Sequence, residues 1–157
     1  MIITNVMRLL TKADISFRSQ EYEVDESDLS GVHVADQIGM ERERVFKTLV
    51  ARGDKNGFAV FVIPVQEELD LKKCALVSGN KKVEMIHVKE LLPLTGYIRG
   101  GCSPIGMKKK FPTYVDETAM LFDEIAVSAG QRGVQIILPP GALTDYVGAQ
   151  YADVTKT

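Results

Sequence analysis

Residues 45–65 read VFKTLVARGDKNGFAVFVIPV, and this stretch decides what kind of fold the chain can form. Two runs rich in β-branched and aromatic residues, Val45–Ala51 and Phe58–Val65, flank the turn-forming segment Gly53–Gly57. This pattern predicts two strands joined by a turn. The second run is apolar at nearly every position, so we expect that strand to be buried on both faces.

Lys47 is the only charged residue in the first of these two runs. It lies two positions from both Val45 and Leu49, so the three side chains share one face of the strand. A lysine on a face suited to burial either extends its ammonium group to solvent or takes part in chemistry. Extension to solvent is the commoner case, and the strand pattern alone leaves both open.

Short elements are predicted on both sides of these strands. The predicted helices are Val6–Leu10, Val32–Ile38 before Gly39, Leu69–Val77 before Gly79, Val88–Leu92 before Pro93, and Ala142–Val147 after a start at Pro139-Pro140. Further strands are predicted at Ser16–Val24, Lys82–Ile86, Thr113–Asp116, Glu124–Ser128 and Val134–Leu138. We therefore expect one α+β domain over residues 1–157, with a curved or closed mixed β-sheet surrounded by short helices.

Composition excludes several classes of protein. The chain has 157 residues, of which 45% are hydrophobic, and no apolar run approaches the ~20 residues of a membrane-spanning helix. Its first residues lack the pattern of a secretory signal, so we expect a cytoplasmic protein without membrane partners. The two cysteines, Cys74 and Cys102, and the two histidines, His33 and His87, show no metal-ligand spacing. We expect neither a disulfide nor a bound metal or other cofactor.

The net charge of −2 conceals a basic middle segment. Residues 71–111 contain nine Lys and Arg against two Asp and Glu, whereas both flanking segments are acidic. One basic segment in an acidic protein indicates a local anionic partner rather than general binding to DNA. The alternative is a set of solvated lysines spread over several faces.

The basic segment contains a glycine-rich stretch, Gly100-Gly101-Cys102-Ser103-Pro104-Ile105-Gly106, which Lys108-Lys109-Lys110 follow closely. Glycine is favoured where the backbone needs a positive φ or a close approach, and Pro104 stiffens the loop. Such a loop can direct backbone N–H groups into a pocket, where they would bind a carbonyl, an oxyanion or a phosphate. A plain tight turn is the alternative.

Several separated motifs, taken in order, resemble the YbaK/EbsC family of aminoacyl-tRNA deacylases, which share the editing-domain fold associated with prolyl-tRNA synthetase. The resemblance covers about residues 5–153. It rests on Val45–Leu49, Leu69–Lys73, Lys81–Met85, Gly96-Tyr97, Gly100–Gly106, Pro112-Thr113, Asp116 and Ser128–Gly133.

This resemblance implies an editing enzyme that acts in trans. Its implied substrate is cysteine mischarged onto proline tRNA, with Cys-tRNA(Cys) as a further candidate, and its implied partner is prolyl-tRNA synthetase, bound transiently. It also implies that the substrate thiol attacks its own ester. That would explain why the sequence contains no Ser-His-Asp or Cys-His constellation.

The resemblance also assigns candidate site residues. Lys47 matches the lysine required for deacylation, with Gly100 and Gly101 as the other catalytic candidates. Substrate-binding candidates are Tyr22, Phe46, Thr48, Ser103, Pro104, Ser128 and Gly130. Lys108, Lys109 and Lys110 are candidates for binding tRNA.

Two positions depart from the family pattern. Gln135 stands where the family often has Asp, which puts an acidic role there in doubt. Cys102 stands where an aliphatic residue is commoner, and we interpret it as a packing residue rather than a nucleophile.

Three alternative functions stay open. One is a deacylase for another mischarged tRNA, such as Ala-tRNA(Pro), or for several tRNAs. The second is a non-catalytic module that uses the same pocket to hold a tRNA end or to regulate a partner, and the third is a regulator that binds a small molecule and has no nucleic-acid partner.

Overall fold

The computed structural model of the chain describes residues 1–157. The helices are α1 (Asn5–Lys12), α2 (Gly31–Ile38), α3 (Leu71–Ser78), α4 (Val88–Thr95) and α5 (Pro140–Val147), with short 3₁₀ helices at Arg42–Arg44 and Glu117–Leu121. The strands are β1 (Arg18–Glu21), β2 (Phe46–Gly53), β3 (Gly57–Pro64), β4 (Val83–Met85), β5 (Thr113–Asp116), β6 (Ile125–Ser128), β7 (Val134–Leu138) and β8 (Gln150–Ala152).

The strands form two sheets. A five-stranded mixed sheet has the order β4-β2-β3-β5-β8, and an antiparallel three-stranded sheet has the order β1-β7-β6. A single parallel bridge from Val45 to Ala126 connects them. The predicted mixed sheet and short helices are therefore confirmed, but the sheet does not close into a barrel.

The central strands are buried as their sequences predict. Every residue of β3 from Ala59 to Pro64 is buried, which confirms the prediction for this apolar run. The largest core cluster contains side chains of α1 and β2 together with inward-facing residues of β6 and β7. A second cluster lies beneath α3, and a third joins Ala35 of α2 to Val45, Ala126 and Ile137.

Helix boundaries follow capping residues in the sequence. Asp70 accepts hydrogen bonds from the N–H groups of Lys72 and Lys73, so α3 begins at Leu71 rather than at the predicted Leu69. Gly39 and Gly79 take positive φ values and end α2 and α3 as predicted.

The prediction that α4 stops before Pro93 is wrong, because the helix continues to Thr95. Proline removes only one hydrogen bond there. The last turn is held by the N–H of Gly96, which donates to the Leu92 carbonyl, and by the Thr95 hydroxyl, which donates to the Leu91 carbonyl.

The predicted strand Ser16–Val24 is shortened to the exposed edge strand β1. Its register with β7 runs from Arg18 opposite Ile137 to Glu21 opposite Val134, the first residue of β7, so β1 has no further strand partner beyond Glu21. A smaller difference is that β6 begins at Ile125 rather than Glu124, whereas α5 begins at Pro140, in agreement with the predicted start at Pro139-Pro140. None of the helices has the length and apolar character needed to span a bilayer.

Candidate functional site

A cleft of about 370 Å³ opens along one edge of β2. On this edge Val45 bridges to β6, and β4 pairs only with Ala51–Gly53. Between these two contacts no strand pairs with this edge of β2, so the cleft lies in the gap between the two sheets. The start of α2 forms one wall, and the segment from Met85 to Leu91 forms the other.

Three polar side chains lie in one row on the face of the sheets next to α2. Val45, Ala126 and Ile137 pack together in the cluster beneath α2. The row lies two residues after Val45 and Ala126 and, because β7 runs antiparallel to β6, two residues before Ile137, on the same face. Its members are Lys47, Ser128 and Gln135, with Ser128 directly opposite Gln135, and all three line the cleft.

The side chain of Lys47 is half-buried, and its ammonium group makes no hydrogen bond or ion pair within the protein. Burial lowers the pKa of its ammonium group, and the nearby carboxylates of Glu68 and Glu67 oppose this shift only in part. A partly desolvated and unpaired cation is suited to attracting an anion or a polarised carbonyl oxygen.

The glycine-rich loop contributes two residues with unpaired backbone N–H groups to the lining of the cleft. Gly100 and Cys102 line it, and the N–H of neither has a partner within the protein. The N–H of Gly101 instead donates to the carbonyl of Ile98 at 2.9 Å. Cys102 therefore replaces Gly101 as the second candidate donor.

Gly101 has a packing role that no other residue could fill without movement. A Cβ atom at this position would lie 3.0 Å from Cα of Gln131 and 3.1 Å from N of Arg132. The loop therefore lies directly against the turn between β6 and β7. Gly100 has φ +86°, a conformation that side chains other than glycine rarely adopt.

The thiol of Cys102 is buried at the cleft, and desolvation raises its pKa to about 12. A thiol with this pKa is protonated near neutral pH and is a poor nucleophile. This supports the interpretation of Cys102 as a packing residue.

Phe46 and Thr48 also line the cleft, but they project from the face of β2 opposite to Lys47. Phe46 belongs to the largest core cluster. The hydroxyl oxygen of Thr48 is buried and has no hydrogen-bond partner.

Four other predicted substrate-binding residues do not line the cleft. Ser103 is fully buried and accepts a hydrogen bond from the N–H of Ile105, so it shapes the loop. Gly130 and Pro104 line two separate depressions. Tyr22 lies in a small neighbouring groove that shares Gly100 with the cleft.

The three predicted tRNA-binding lysines are exposed but lie outside the cleft. Lys108 lines a depression beside the start of α1, whereas Lys109 and Lys110 line another beside Tyr146. Elsewhere in the basic segment, Lys73 donates to Asp153 and to the carbonyls of Thr155 and Thr157, so it anchors the end of the chain. The basic segment therefore does not form one surface.

Sequence reasoning missed several residues that line the cleft. They are Leu29, Ser30 and Gly31 at the start of α2, Met85–Val88, and Arg99. Ser30 is an N-cap type of residue, which marked the start of the helix but not its place at a cleft. Only the packing of distant segments reveals these walls.

The charges around the cleft define what it can bind. Lys47 and Arg99 line it, and no Asp or Glu does. No group of three His, Cys, Asp or Glu side chains comes together to hold a metal ion. The arrangement can polarise a carbonyl and stabilise negative charge, but it contains no paired nucleophile and base.

Comparison with known proteins gives consistent matches. Residues 30–146 match the family described as the aminoacyl-tRNA editing domain. The chain is 52% identical over 152 residues to a protein of Enterococcus faecalis named as a candidate Cys-tRNA(Pro)/Cys-tRNA(Cys) deacylase, EbsC, which covers 97% of this chain and 93% of that protein. It is 28% identical over 142 residues to the uncharacterised protein YwhH of Bacillus subtilis, covering 88% of this chain and 90% of that protein.

Among solved structures, the chain is similar to a candidate trans-editing enzyme for prolyl-tRNA synthetase. The TM-score is 0.84 at 25% identity, covering 99% of this chain and 100% of that one.

Proposed function

The chain belongs to the aminoacyl-tRNA editing domain family, and from this membership we propose that it removes cysteine from mischarged proline tRNA, acting in trans. The resemblance to the YbaK/EbsC family is confirmed by the 52% identity to EbsC, whose name gives Cys-tRNA(Pro) and Cys-tRNA(Cys) as substrates. Both are candidate substrates of this chain. Since its substrate is a charged tRNA, we place the enzyme in the cytoplasm.

One observation carries this proposal. An unpaired, half-buried lysine and two loop residues whose backbone N–H groups have no partner line a cleft that contains neither a nucleophile–base pair nor a carboxylate. An aminoacyl ester is already activated, so it needs stabilisation of its developing oxyanion more than it needs a protein nucleophile. Lys47, Gly100 and Cys102 are the groups that we assign to this oxyanion.

The attacking group in this proposal belongs to the substrate. The sulfur of the cysteinyl group forms a bond to its own ester carbonyl carbon, and the bond from that carbon to the terminal ribose oxygen breaks. The thiol proton passes, directly or through water, to the ribose oxygen, which leaves on the tRNA. Water then opens the resulting cyclic thioester to release cysteine.

Editing by a separate site has a general physical reason. The aminoacylation site of a synthetase discriminates between small side chains by only about 1–3 kcal/mol of binding free energy for each methylene group. This difference is too small for accurate translation. A second site that accepts only the wrong product removes the error. We propose that this chain works beside prolyl-tRNA synthetase and binds it transiently.

The test is hydrolysis of proline tRNA charged separately with cysteine, serine, alanine and proline. We expect rapid loss of cysteine and far slower loss of serine, because a hydroxyl is a much weaker nucleophile than a partly ionised thiol. Equal rates for cysteine and serine would show that water attacks directly. Preferential loss of alanine would identify a different editing substrate. If none of the esters is hydrolysed, the alternative of a non-catalytic binding module is favoured.

A further inference from the structure

Two buried polar atoms of the chain are left without partners, and both belong to residues that line the cleft. Only two buried side-chain oxygen or nitrogen atoms lack a hydrogen bond, Thr48 Oγ1 and Gln135 Oε1. Gln135 is 5% exposed and its side chain makes no hydrogen bond at all. Leaving a buried acceptor unpaired destabilises a fold, so its place beside a ligand cleft indicates a bound donor.

Gln135 shares its face of the sheets with Lys47. It lies on β7, directly opposite Ser128, and it precedes Ile137 by two residues, whereas Lys47 follows Val45 by two, so each shares the face of its partner in the cluster beneath α2. Thr48, the other unpaired group, projects from the opposite face of β2. A ligand group held next to the carbonyl that contacts Lys47 therefore meets Gln135 rather than Thr48.

The other side-chain oxygens on this side of the cleft each accept one hydrogen bond within the protein. Ser128 Oγ accepts from the N–H of Gly130, and Ser30 Oγ accepts from the N–H of His33. His87 is exposed. With no carboxylate lining the cleft, Gln135 Oε1 is the one buried side-chain oxygen on the same face as Lys47 that accepts no hydrogen bond.

An aminoacyl ester carries one strong donor next to its carbonyl group, the α-amino group. We infer that Gln135 accepts a hydrogen bond from the α-amino group of the bound aminoacyl ester, and so orients its carbonyl carbon toward Lys47 and the loop amides. This inference rests on the proposed function. It makes Gln135 a positioning residue that selects α-amino esters.

The experiment compares two substrates that differ only in this group. One is cysteinyl proline tRNA, and the other is proline tRNA acylated with 3-mercaptopropionate, which keeps the thiol and the ester but lacks the amino group. We expect the Gln135→Met variant to lose about 10- to 100-fold in kcat/KM on the cysteinyl substrate. Its activity on the deamino substrate should change little.

The readout is the ratio of kcat/KM on the cysteinyl substrate to kcat/KM on the deamino substrate. Comparing this ratio between enzymes cancels the different intrinsic reactivities of the two esters. Gln150→Met, which makes the same substitution at an exposed position on β8, is the matched control and should retain the ratio of the unmodified enzyme. Gln135→Glu keeps an acceptor oxygen and should also retain a preference for the amino group. A Gln135→Met enzyme with the unmodified ratio would overturn the inference, as would a folded Gln135→Glu enzyme with no preference.

Stability separates this role from a structural one. Methionine replaces an unpaired amide with an apolar group of similar size, so the melting temperature of Gln135→Met should equal or exceed that of the unmodified protein. Loss of activity together with a large drop in melting temperature would assign Gln135 to the fold instead.

A binding measurement is independent of turnover. Cysteine methyl ester should raise the melting temperature of the unmodified protein more than methyl 3-mercaptopropionate does, and Gln135→Met should abolish the difference. Equal shifts in the unmodified protein would contradict the role of Gln135 even if cysteinyl tRNA is hydrolysed. Failure to hydrolyse cysteinyl tRNA, with the ester difference intact, would instead contradict the proposed reaction.

Discussion

Lys47 illustrates at the scale of one residue how a functional group conflicts with stability. The fold partly buries its ammonium group without giving it a partner, and this burial lowers the pKa. Because the folded state binds the proton less tightly than the unfolded state, protonated Lys47 destabilises the fold below its folded pKa. This penalty disappears as the pH rises through that pKa toward the ordinary value of 10.5.

Replacing Lys47 with methionine should therefore separate activity from stability. We expect Lys47→Met to lose at least about 100-fold in deacylation, because the oxyanion loses its cation, while its melting temperature stays equal or rises. Lys47→Arg should also be poor, since a planar guanidinium does not replace a compact ammonium group. Hydrolysis rates and thermal melts measure both effects, and near-normal turnover by Lys47→Met would remove Lys47 from the mechanism.

The pH dependence of the reaction should show the same lowered pKa. If the protonated form of Lys47 is needed, kcat/KM corrected for uncatalysed hydrolysis should fall on the alkaline side with a midpoint below 10.5. In Lys47→Arg any residual activity should lack this fall, because arginine stays charged. A fall at the same pH in both enzymes would assign the transition to another group.

The two cysteines should be unreactive in the folded protein. Burial raises the pKa of both Cys74 and Cys102 to about 12, so few thiolates are present at pH 8. A colorimetric thiol reagent should react with neither in the native state and with both after unfolding, and Cys102→Val should keep most deacylation. Rapid labelling of a thiol in the folded protein, together with loss of activity, would make Cys102 a candidate nucleophile again.

At the scale of elements, the glycine-rich loop and the β6–β7 turn function as one unit. Gly101 allows the loop backbone to lie against Gln131 and Arg132. Gly100 and Cys102, whose N–H groups have no partner within the protein, line the cleft beside this contact. The position of the candidate donors therefore depends on a residue whose own N–H is not available to substrate.

Gly101→Ala should disturb both the loop and the reaction. Its Cβ would meet backbone atoms at 3.0–3.1 Å, so the loop must shift, at a cost of about 1–3 kcal/mol in unfolding free energy. We expect kcat to fall more than KM rises, because oxyanion donors act mainly in the transition state. Chemical denaturation and steady-state kinetics measure these effects.

Gly141→Ala is the control for this substitution. A Cβ at Gly141 meets nothing within 4 Å, and this glycine lies in α5. The change should stabilise the protein by about 0.5–1 kcal/mol and leave activity unaltered. Equal losses of unfolding free energy in the two variants would show that the close contact at Gly101 is not the cause of the destabilisation.

At the scale of the whole molecule, positive charge is divided among separate surfaces. Arg99 and Lys47 line the cleft, whereas Lys108, Lys109 and Lys110 lie in two depressions outside it. A tRNA acceptor stem extends well beyond its terminal nucleotide. Lysines outside the cleft can therefore contact its phosphates without taking part in the chemistry.

Changing Lys108, Lys109 and Lys110 to glutamine should raise KM for charged tRNA and flatten its dependence on salt. Each lost phosphate contact should reduce the slope of log K against log salt by roughly 0.7–0.9, while kcat should change little. The control changes Lys55, Lys81 and Lys82 to glutamine. These lysines are also exposed, and their replacement removes the same amount of charge. Equal effects of the two triple variants would indicate net charge rather than a binding surface.

The sequence by itself determined the family and most of the elements, though not the strand β8. The apolar run of β3, the turn before it, Asp70 as a cap and Gly39 and Gly79 as helix ends all act over a few neighbouring residues, so their patterns were readable. Lys47 stood out because a charge interrupts a strand suited to burial.

Only the tertiary structure decided what surrounds Lys47. The parallel bridge from Val45 to Ala126 brings residues about 80 positions apart into one row, and no local pattern encodes that register. The same packing places Gln135 beside the cleft, takes the N–H of Gly101 out of it, and separates Lys108–Lys110 from it. Local propensity fixes which backbone segments form strands, but contacts between distant strands decide which side chains share a site.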